Sequence, residues 1–363
     1  MEAGSFKNVG GAAKDTYKIY TRLKSTHKYD IDVFADYSKI DPSVRPVGKH
    51  EMLSTDYDFI MLNSIRDVLF INRYRLKHRN ARTKYLYADR GNVLLNLKKA
   101  KLSRLHPKAI LRKSLLNQMK RWLDYYVAIT GEQYEEAFNF FDSKTDVKYI
   151  LIAPHEEFRR IKMKKDFRGA VAVGRLDERQ KRTSFLIEGI KEIVKRDPSM
   201  KGKELVRIIG TGKDEKEYRN TVKRLGLEKN ITFEGFVVGD RLVRAYNNAG
   251  FLVSTSYWEG LSRTFLEAMA CGLPLLINAD INSIISYKPR ETVVTGGSNG
   301  LVYESGDLPD FAEKFIKLYR DSKLRKRLGA NASKYMKRFS FEKVVKSYED
   351  IIDLSDPLSA PEF

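Results

Sequence analysis

Residues 250–277, GFLVSTSYWEGLSRTFLEAMACGLPLLI, read as strand, loop, helix and strand in that order. The apolar run from Gly250 to Ser256 suits a strand, Tyr257 to Gly260 breaks it, and Ser262 stands where a helix cap is expected. Arg263 to Cys271 carries strong helix formers until Gly272 and Pro274 stop them. A loop and a helix N-terminus therefore follow a strand directly. In an open α/β sheet phosphorylated ligands bind at such a place, because unpaired N–H groups and the positive helix end face the crevice. Two carboxylates belong to the segment, Glu259 in the loop and Glu267 in the helix. Taken alone, such acids also serve as plain dipole partners of a helix start.

The surrounding residues narrow the choice. Glu259-Gly260-Leu261-Ser262, then LEAMA at 266–270 and Gly272-Leu273-Pro274, resembles the signature of the retaining glycosyltransferases of the GT-B fold, family 4 in particular. Ser262 stands where that family usually has Gly or Pro. The resemblance implies an α/β protein with two Rossmann-like domains facing each other across a cleft. The second would hold a nucleoside diphosphate sugar and the first an acceptor. It also implies that Glu267 bonds the ribose hydroxyls, that Glu259 binds sugar hydroxyls and supports a cationic transition state, and that Gly260, Leu261 and Ser262 line the donor.

A second motif lies upstream. GAVAVGR at 169–175 reads as a strand, TSFLIEGIKEIV at 183–194 as a helix, and LDERQKR joins them. This resembles the family's Gly-Arg-Leu followed by Lys-Gly or Lys-Arg, which makes Arg175 and Lys181 the expected diphosphate ligands, next to Gly174. Arginine offers a fork matched to phosphate oxygens and lysine a mobile point charge. A departing diphosphate accumulates negative charge, and two fixed cations with a helix N-terminus stabilise it without a metal. The turn at Gly210 and Gly212 resembles the family's glycine turn near the diphosphate, although a plain turn needs the same residues. The resemblance also sets the nucleotide base against the backbone around Phe236 and Val237.

No metal or other cofactor is expected. The five histidines, at 27, 50, 78, 106 and 155, lack metal-ligand spacing. Asp30-Ile31-Asp32 and Asp56-Tyr57-Asp58 sit at strand entrances with no neighbouring ligands. Cys271, the single cysteine, reads as a buried inert thiol.

The N-terminal half alternates in the manner of a parallel sheet, with strands expected at 30–35, 57–62, 84–88, 125–129 and 149–153. Gly10 and Gly11 open a helix, and the resemblance sets them at the donor phosphate or the acceptor. Family members often carry a sugar-contacting His after the strand at 84–88. Here the loop reads Asp89-Arg90, so either residue is a candidate replacement. The expected domains are 1–160 and 166–340, joined by the polar stretch KMKKDFR, with an amphipathic helix at 341–354 crossing back to the first.

Net charge is +20, with 17 Lys and Arg between Arg66 and Arg121 against only Asp67 and Asp89. So local an excess points to an anionic partner. Residues 93–123 read as two basic amphipathic helices, with Ile110, Leu111, Leu115, Met119, Trp122 and Leu123 on one stripe. That arrangement suits a domain helix packing its stripe inward, or an anionic membrane surface, with nucleic acid the remaining and less favoured alternative. No apolar run is long enough to span a bilayer and the start lacks a signal sequence, so the expected location is the cytoplasm, peripheral on the membrane's inner face. The function these features and the resemblance imply is retaining, metal-independent transfer from a nucleotide sugar to an acceptor such as a membrane lipid. A DNA-modifying glucosyltransferase and a non-catalytic adaptor are the alternatives.

Overall fold

The computed structural model describes residues 11–34, 46–79, 81–90, 93–94, 107–150, 152–163, 166–259, 261–284, 286–288, 291–292, 294–295 and 297–354. These fall into two compact units. Residues up to Ile150 and from Glu342 onward form the first, and Ile152 to Phe341 the second. The division falls ahead of the polar KMKKDFR stretch. Phe167 is already buried with the second unit, under the Arg207 guanidinium at 4.1 Å from its ring centre.

The first unit runs α1 (Gly11–Ser25), α2 (Lys49–Ser54), β1 (Phe59–Leu62), α3 (Asp67–Lys77), β2 (Lys84–Ala88), α4 (Pro107–Met119), β3 (Tyr125–Ala128), α5 (Gly131–Phe140) and β4 (Asp146–Tyr149). Its strands pair in parallel in the order β1-β2-β3-β4. Helical crossovers make this possible, since parallel neighbours cannot be joined by a tight turn. Burial on both sheet faces accounts for the apolar run in β2 and for the enclosed Tyr87 and Tyr126. Thr130 starts α5 with a capping box: its hydroxyl accepts from Gln133 N–H, and the Gln133 side chain accepts from Thr130 N–H.

Three expectations for this half are corrected. Asp30 to Phe34 form no strand, although Val47 N–H donates to Val33 O at 2.8 Å. The last strand is Asp146–Tyr149, ahead of the expected 149–153. Ile150, Ile152 and Ala153 are buried as that reading implied; Ile150 N–H still donates to Ala128 O at 3.0 Å, one step beyond the strand. On α4 the apolar stripe is Leu115, Leu116 and Met119, continued by Trp122 and Leu123, while Ile110 and Leu111 are each 53 % exposed. Residues 95–106, the rest of the expected basic pair of helices, lie outside the described residues.

The second unit contains β5 (Ala170–Val173), α6 (Glu178–Lys181), α7 (Thr183–Arg196), β6 (Val206–Ile209), α8 (Glu215–Arg224), β7 (Ile231–Gly235), α9 (Asp240–Asn248), β8 (Phe251–Val253), α10 (Arg263–Ala270), β9 (Leu275–Asn278), α11 (Ala279–Ile284), the short antiparallel pair β10 (Ser286–Lys288) and β11 (Glu291–Thr292), β12 (Gly300–Tyr303), α12 (Leu308–Arg320) and α13 (Ser322–Met336). Six parallel strands form one sheet in the order β12-β9-β8-β5-β6-β7. The chain enters in the middle at β5, moves outward to β7, then returns to lay β8 on the other side of β5. Strand order therefore reverses between β5 and β8. The loops leaving their carboxyl ends diverge there and open a crevice.

Phe251, Leu276, Ile190, Phe311 and Phe315 are enclosed between this sheet and its helices. Removing one such phenylalanine costs about 3 to 5 kcal/mol. The final helix, α14 (Phe341–Leu354), is amphipathic, with Val344, Val345, Tyr348 and Ile351 buried along one stripe. Within the first unit the Arg90 guanidinium donates to Tyr348 OH at 3.1 Å, and Tyr29 OH donates to Asp353 at 2.7 Å.

Candidate active site

Two loops make the crevice: 174–182 after β5 and 254–262 after β8. The first is braced from the side by the loop after β6. Gly174 N–H donates to Ile209 O, Leu176 N–H to Thr211 O, and Glu178 N–H to the Asp214 carboxylate at 2.8 Å. Gly210 makes this approach possible. Its φ is +139°, and a Cβ there would fall 1.8 Å from Gly174 O. The glycine turn at 210–212 thus presses backbone on backbone against the loop that carries Arg175. Asp177 caps α6 by accepting from Arg179 N–H at 3.1 Å.

The second loop is fastened to the first. Thr255 Oγ1 donates to Lys181 O at 2.9 Å, and Tyr257 N–H donates to Gln180 O at 2.8 Å. Ser256 O accepts from Asn278 Nδ2, and Ser254 O from Tyr303 OH. Across this seam Lys181 Nζ donates to Glu259 Oε1 at 2.5 Å, and Ser256 Oγ donates to the same oxygen at 2.8 Å. Glu259 is 7 % exposed, so the ion pair stands largely out of water, where charge-assisted bonds are strongest. The crevice is lined by Lys181 and Ser256 together with Gly174, Arg175 and Ser254. Arg175 is exposed, its guanidinium donating to Gln180 at 3.1 Å.

Glu267, in α10, is likewise 7 % exposed. Tyr246 OH donates to its Oε2 at 3.0 Å, and Arg263 Nε lies 3.7 Å from its Oε1. Burial, with this carboxylate beside it, pushes the Tyr246 phenol well above its ordinary value. The Arg263 guanidinium continues to the buried His155, donating to Nε2 at 3.1 Å. Ser262 occupies the position ahead of α10, but its hydroxyl meets Thr264 Oγ1 at 3.0 Å and caps no N–H, a correction to the expected cap.

The structure therefore brings Gly174, Arg175 and Lys181 to one crevice, with Gly210 and Gly212 pressed against the loop that carries them and Glu259 bonded to Lys181. Leu261 is buried beside the start of α10, while Phe236, 59 % exposed, and the buried Val237 follow β7. Gly10 and Gly260 lie outside the described residues, and Gly11 opens α1. Asp89 and Arg90 are occupied within the first unit. Asp89 is fully buried, accepting from Val93 N–H at 3.0 Å and from Tyr126 OH at 2.5 Å. Arg90 faces Asp15 at 3.8 Å besides its bond to Tyr348. Sequence reading missed Ser256 and Thr255, although three hydroxyl residues at the end of a strand were a visible signal. It also missed Tyr246 and His155, which are 21 and 108 residues from their partners and carried none. Among the described residues no group of three or more His, Cys, Asp or Glu is placed to hold a metal ion.

Residues 155–335 match the family model for glycosyl transferases group 1. The chain belongs to the group 1 glycosyltransferases. A glycosyltransferase of Methanocaldococcus jannaschii, MJ1178, is 32 % identical over 178 residues, 48 % of this chain and 46 % of that protein. A second from the same organism, MJ1069, is 25 % identical over 82 % of this chain and 75 % of its own length. This chain thus spans about half of the first relative and three quarters of the second. Among solved structures, Anabaena HepE in complex with UDP superposes with a TM-score of 0.73, covering 94 % of this chain and 96 % of that one at 16 % identity. The group 1 glycosyltransferase chain has the GT-B fold, an α/β architecture built on two parallel sheets. Among its described residues no helix is long and apolar enough to cross a membrane.

Proposed function

We propose that this group 1 glycosyltransferase moves a sugar from a nucleoside diphosphate sugar to an acceptor hydroxyl, with retention of configuration and without a metal. The observation that carries the reading is the Lys181–Glu259 pair at the β5/β8 reversal, beside an exposed Arg175. Cation and carboxylate stand where a diphosphate and its sugar meet. Arg175 and Lys181 hold the diphosphate, Glu267 the ribose, the Phe236–Val237 backbone the base, and Glu259 the sugar hydroxyls.

In the reaction the bond from the anomeric carbon to the diphosphate oxygen breaks, and its electrons leave with the diphosphate. The acceptor oxygen bonds to the anomeric carbon on the same face, and its proton passes to the departing phosphate oxygen. Arg175, Lys181 and the N–H groups at the start of α7 meet the charge that appears. Their preorganisation matters more than their number, because the loop braces hold them in place before substrate arrives.

The acceptor reading is a lipid or lipid-linked glycan at an anionic membrane. It is supported by the solvent-facing side of the first unit, where Arg66, Leu69, Arg73 and Leu76 are exposed on or next to α3, and Ile110, Leu111, Arg112 and Lys113 on α4. Asn72 and Gln118, bonded at 2.6 Å, join the two helices side by side. Cations mixed with exposed aliphatic side chains fit an anionic interface better than they fit duplex DNA.

A thermal-shift screen of UDP-, GDP-, ADP- and dTDP-sugars, followed by transfer assays, tests the donor. One donor is expected to raise Tm, and its transfer is expected to survive a chelator and give a product of unchanged anomeric configuration by NMR. No stabilising donor, or turnover abolished by chelation and restored by a divalent ion, removes the corresponding part of the reading.

A further inference from the structure

Arg182 is one of two residues other than glycine with positive φ among the described residues, at φ 48° and ψ 49°. An L-residue with a long side chain rarely adopts this left-handed conformation, and strain retained at such a position calls for a compensating contact. Arg182 separates α6 from α7, directly after Lys181. Its guanidinium carbon lies 4.5 Å from the ring centre of Tyr257 and 4.7 Å from that of Phe185. Both distances are within cation–π range.

The two rings differ in footing. Phe185 is buried and stacked on Tyr303 with an interplanar angle of 9°, fixed to the core. Tyr257 is 52 % exposed and belongs to the loop that carries Trp258 and Glu259. Arg182 therefore bridges an immobile ring and a loop ring. Its carbonyl reinforces the link by accepting from Thr255 Oγ1 at 3.1 Å.

We propose that Arg182 is a positioning residue of the donor site, whose flat guanidinium holds the 257–259 loop against the start of α7 and so keeps Glu259 opposite Lys181. The inference rests on reading the crevice as a nucleotide-sugar site. It differs from a general stabilising role in one respect. Replacing Arg182 by Gly relieves the strained backbone, so loop order is lost without loss of fold stability.

The test uses the full chain with UDP as probe. Trp258 is one of only two tryptophans, so Trp122→Phe makes it the sole emitter. In that background Arg182→Gly and Arg182→Lys are each expected to lower Trp258 anisotropy, with Tm held or raised in the Gly variant; lysine lacks the planar face that spans both rings. By calorimetry Arg182→Gly is expected to weaken UDP roughly tenfold or more. Tyr257→Ala should do the same, the double variant no worse than either single one, and Tyr257→Phe should match the parent. Unchanged Trp258 anisotropy in Arg182→Gly overturns the proposal whatever the binding result. So does unchanged UDP affinity in Arg182→Gly when Arg175→Ala weakens it. If Arg175→Ala also binds UDP as the parent does, the nucleotide-site reading fails, and the anisotropy alone decides whether Arg182 orders the loop.

Discussion

Lys181 and Glu259 stand 78 residues apart in the chain and form an ion pair at 2.5 Å, with side-chain exposures of 18 % and 7 %. On the proposed reading each is the partner the other loses when a donor enters: a diphosphate would draw Lys181 toward its oxygens, and the freed carboxylate would turn to the sugar hydroxyls. The pair orders both side chains, and on the proposed reading it competes with substrate for each of them.

That competition has a sign. Glu259→Gln leaves the loop anchored through Arg182 and Thr255, unlike the loss of Arg182, and removes only the charge that competes for Lys181, so UDP is expected to bind several-fold more tightly while sugar transfer falls. Lys181→Ala removes a charge-assisted contact of about 1.5 to 3 kcal/mol, weakening UDP roughly ten- to a hundredfold. Calorimetric titration at low ionic strength measures both. Weaker UDP binding in Glu259→Gln would show that Glu259 helps hold the nucleotide instead of competing for its lysine.

Tyr246 sets a pH dependence. Burial, and then the neighbouring Glu267 carboxylate, raise its phenol well above the ordinary 10.0, so the folded protein keeps it protonated where the unfolded chain begins to ionise. A folded-state value above the unfolded one contributes stability that is complete below about pH 10 and declines as pH rises further. Tyr246→Phe removes this liability. The Tm of the parent minus that of the variant is therefore expected to shrink between pH 9 and pH 11. A difference flat across that range contradicts the assignment. Near pH 8 the variant also loses the bond to Glu267, and UDP affinity should fall a few-fold.

Much of the second unit could be read from its residues. Strands buried on both faces appear as short apolar runs, and β5, β6, β8 and β9 all lie within the stretches that read that way. Helix α14 matches its amphipathic pattern residue for residue. The first unit was harder because burial and strand bounds separate there: Ile150, Ile152 and Ala153 are apolar and buried but lie past the end of the strand, whereas the edge strand β4 is partly polar. In the site, Arg175, Lys181 and Glu259 were visible as motif residues. Their mutual geometry was not, since the pairing of Lys181 with Glu259 depends on β8 returning beside β5, which no local pattern encodes.

Asp89 separates a structural role from a catalytic one. Its carboxylate accepts from Val93 N–H and Tyr126 OH in a fully buried setting. Asp89→Ala strands both donors and is expected to cost about 2 to 4 kcal/mol, seen as a fall of several degrees in Tm. Asp89→Asn, which keeps one acceptor oxygen, should recover part of the loss. A residue that touched the sugar would instead lower transfer at unchanged Tm.

The exposed aliphatic residues on the first unit give the last prediction. Ile110 and Leu111 are each 53 % exposed beside Arg112 and Lys113, and Leu69 and Leu76 on α3 are 53 % and 63 % exposed. Water disfavours these side chains, and each engaged cation at an anionic surface contributes about 1 kcal/mol. Neither term alone binds firmly. Together they predict pelleting with phosphatidylglycerol vesicles, little with phosphatidylcholine, and release as salt rises. Ile110→Glu with Leu111→Glu should abolish pelleting while leaving Tm nearly unchanged, since these positions face solvent. If the protein sediments equally with both vesicle types, or the double variant binds as the parent does, the acceptor is not presented at a membrane through this face.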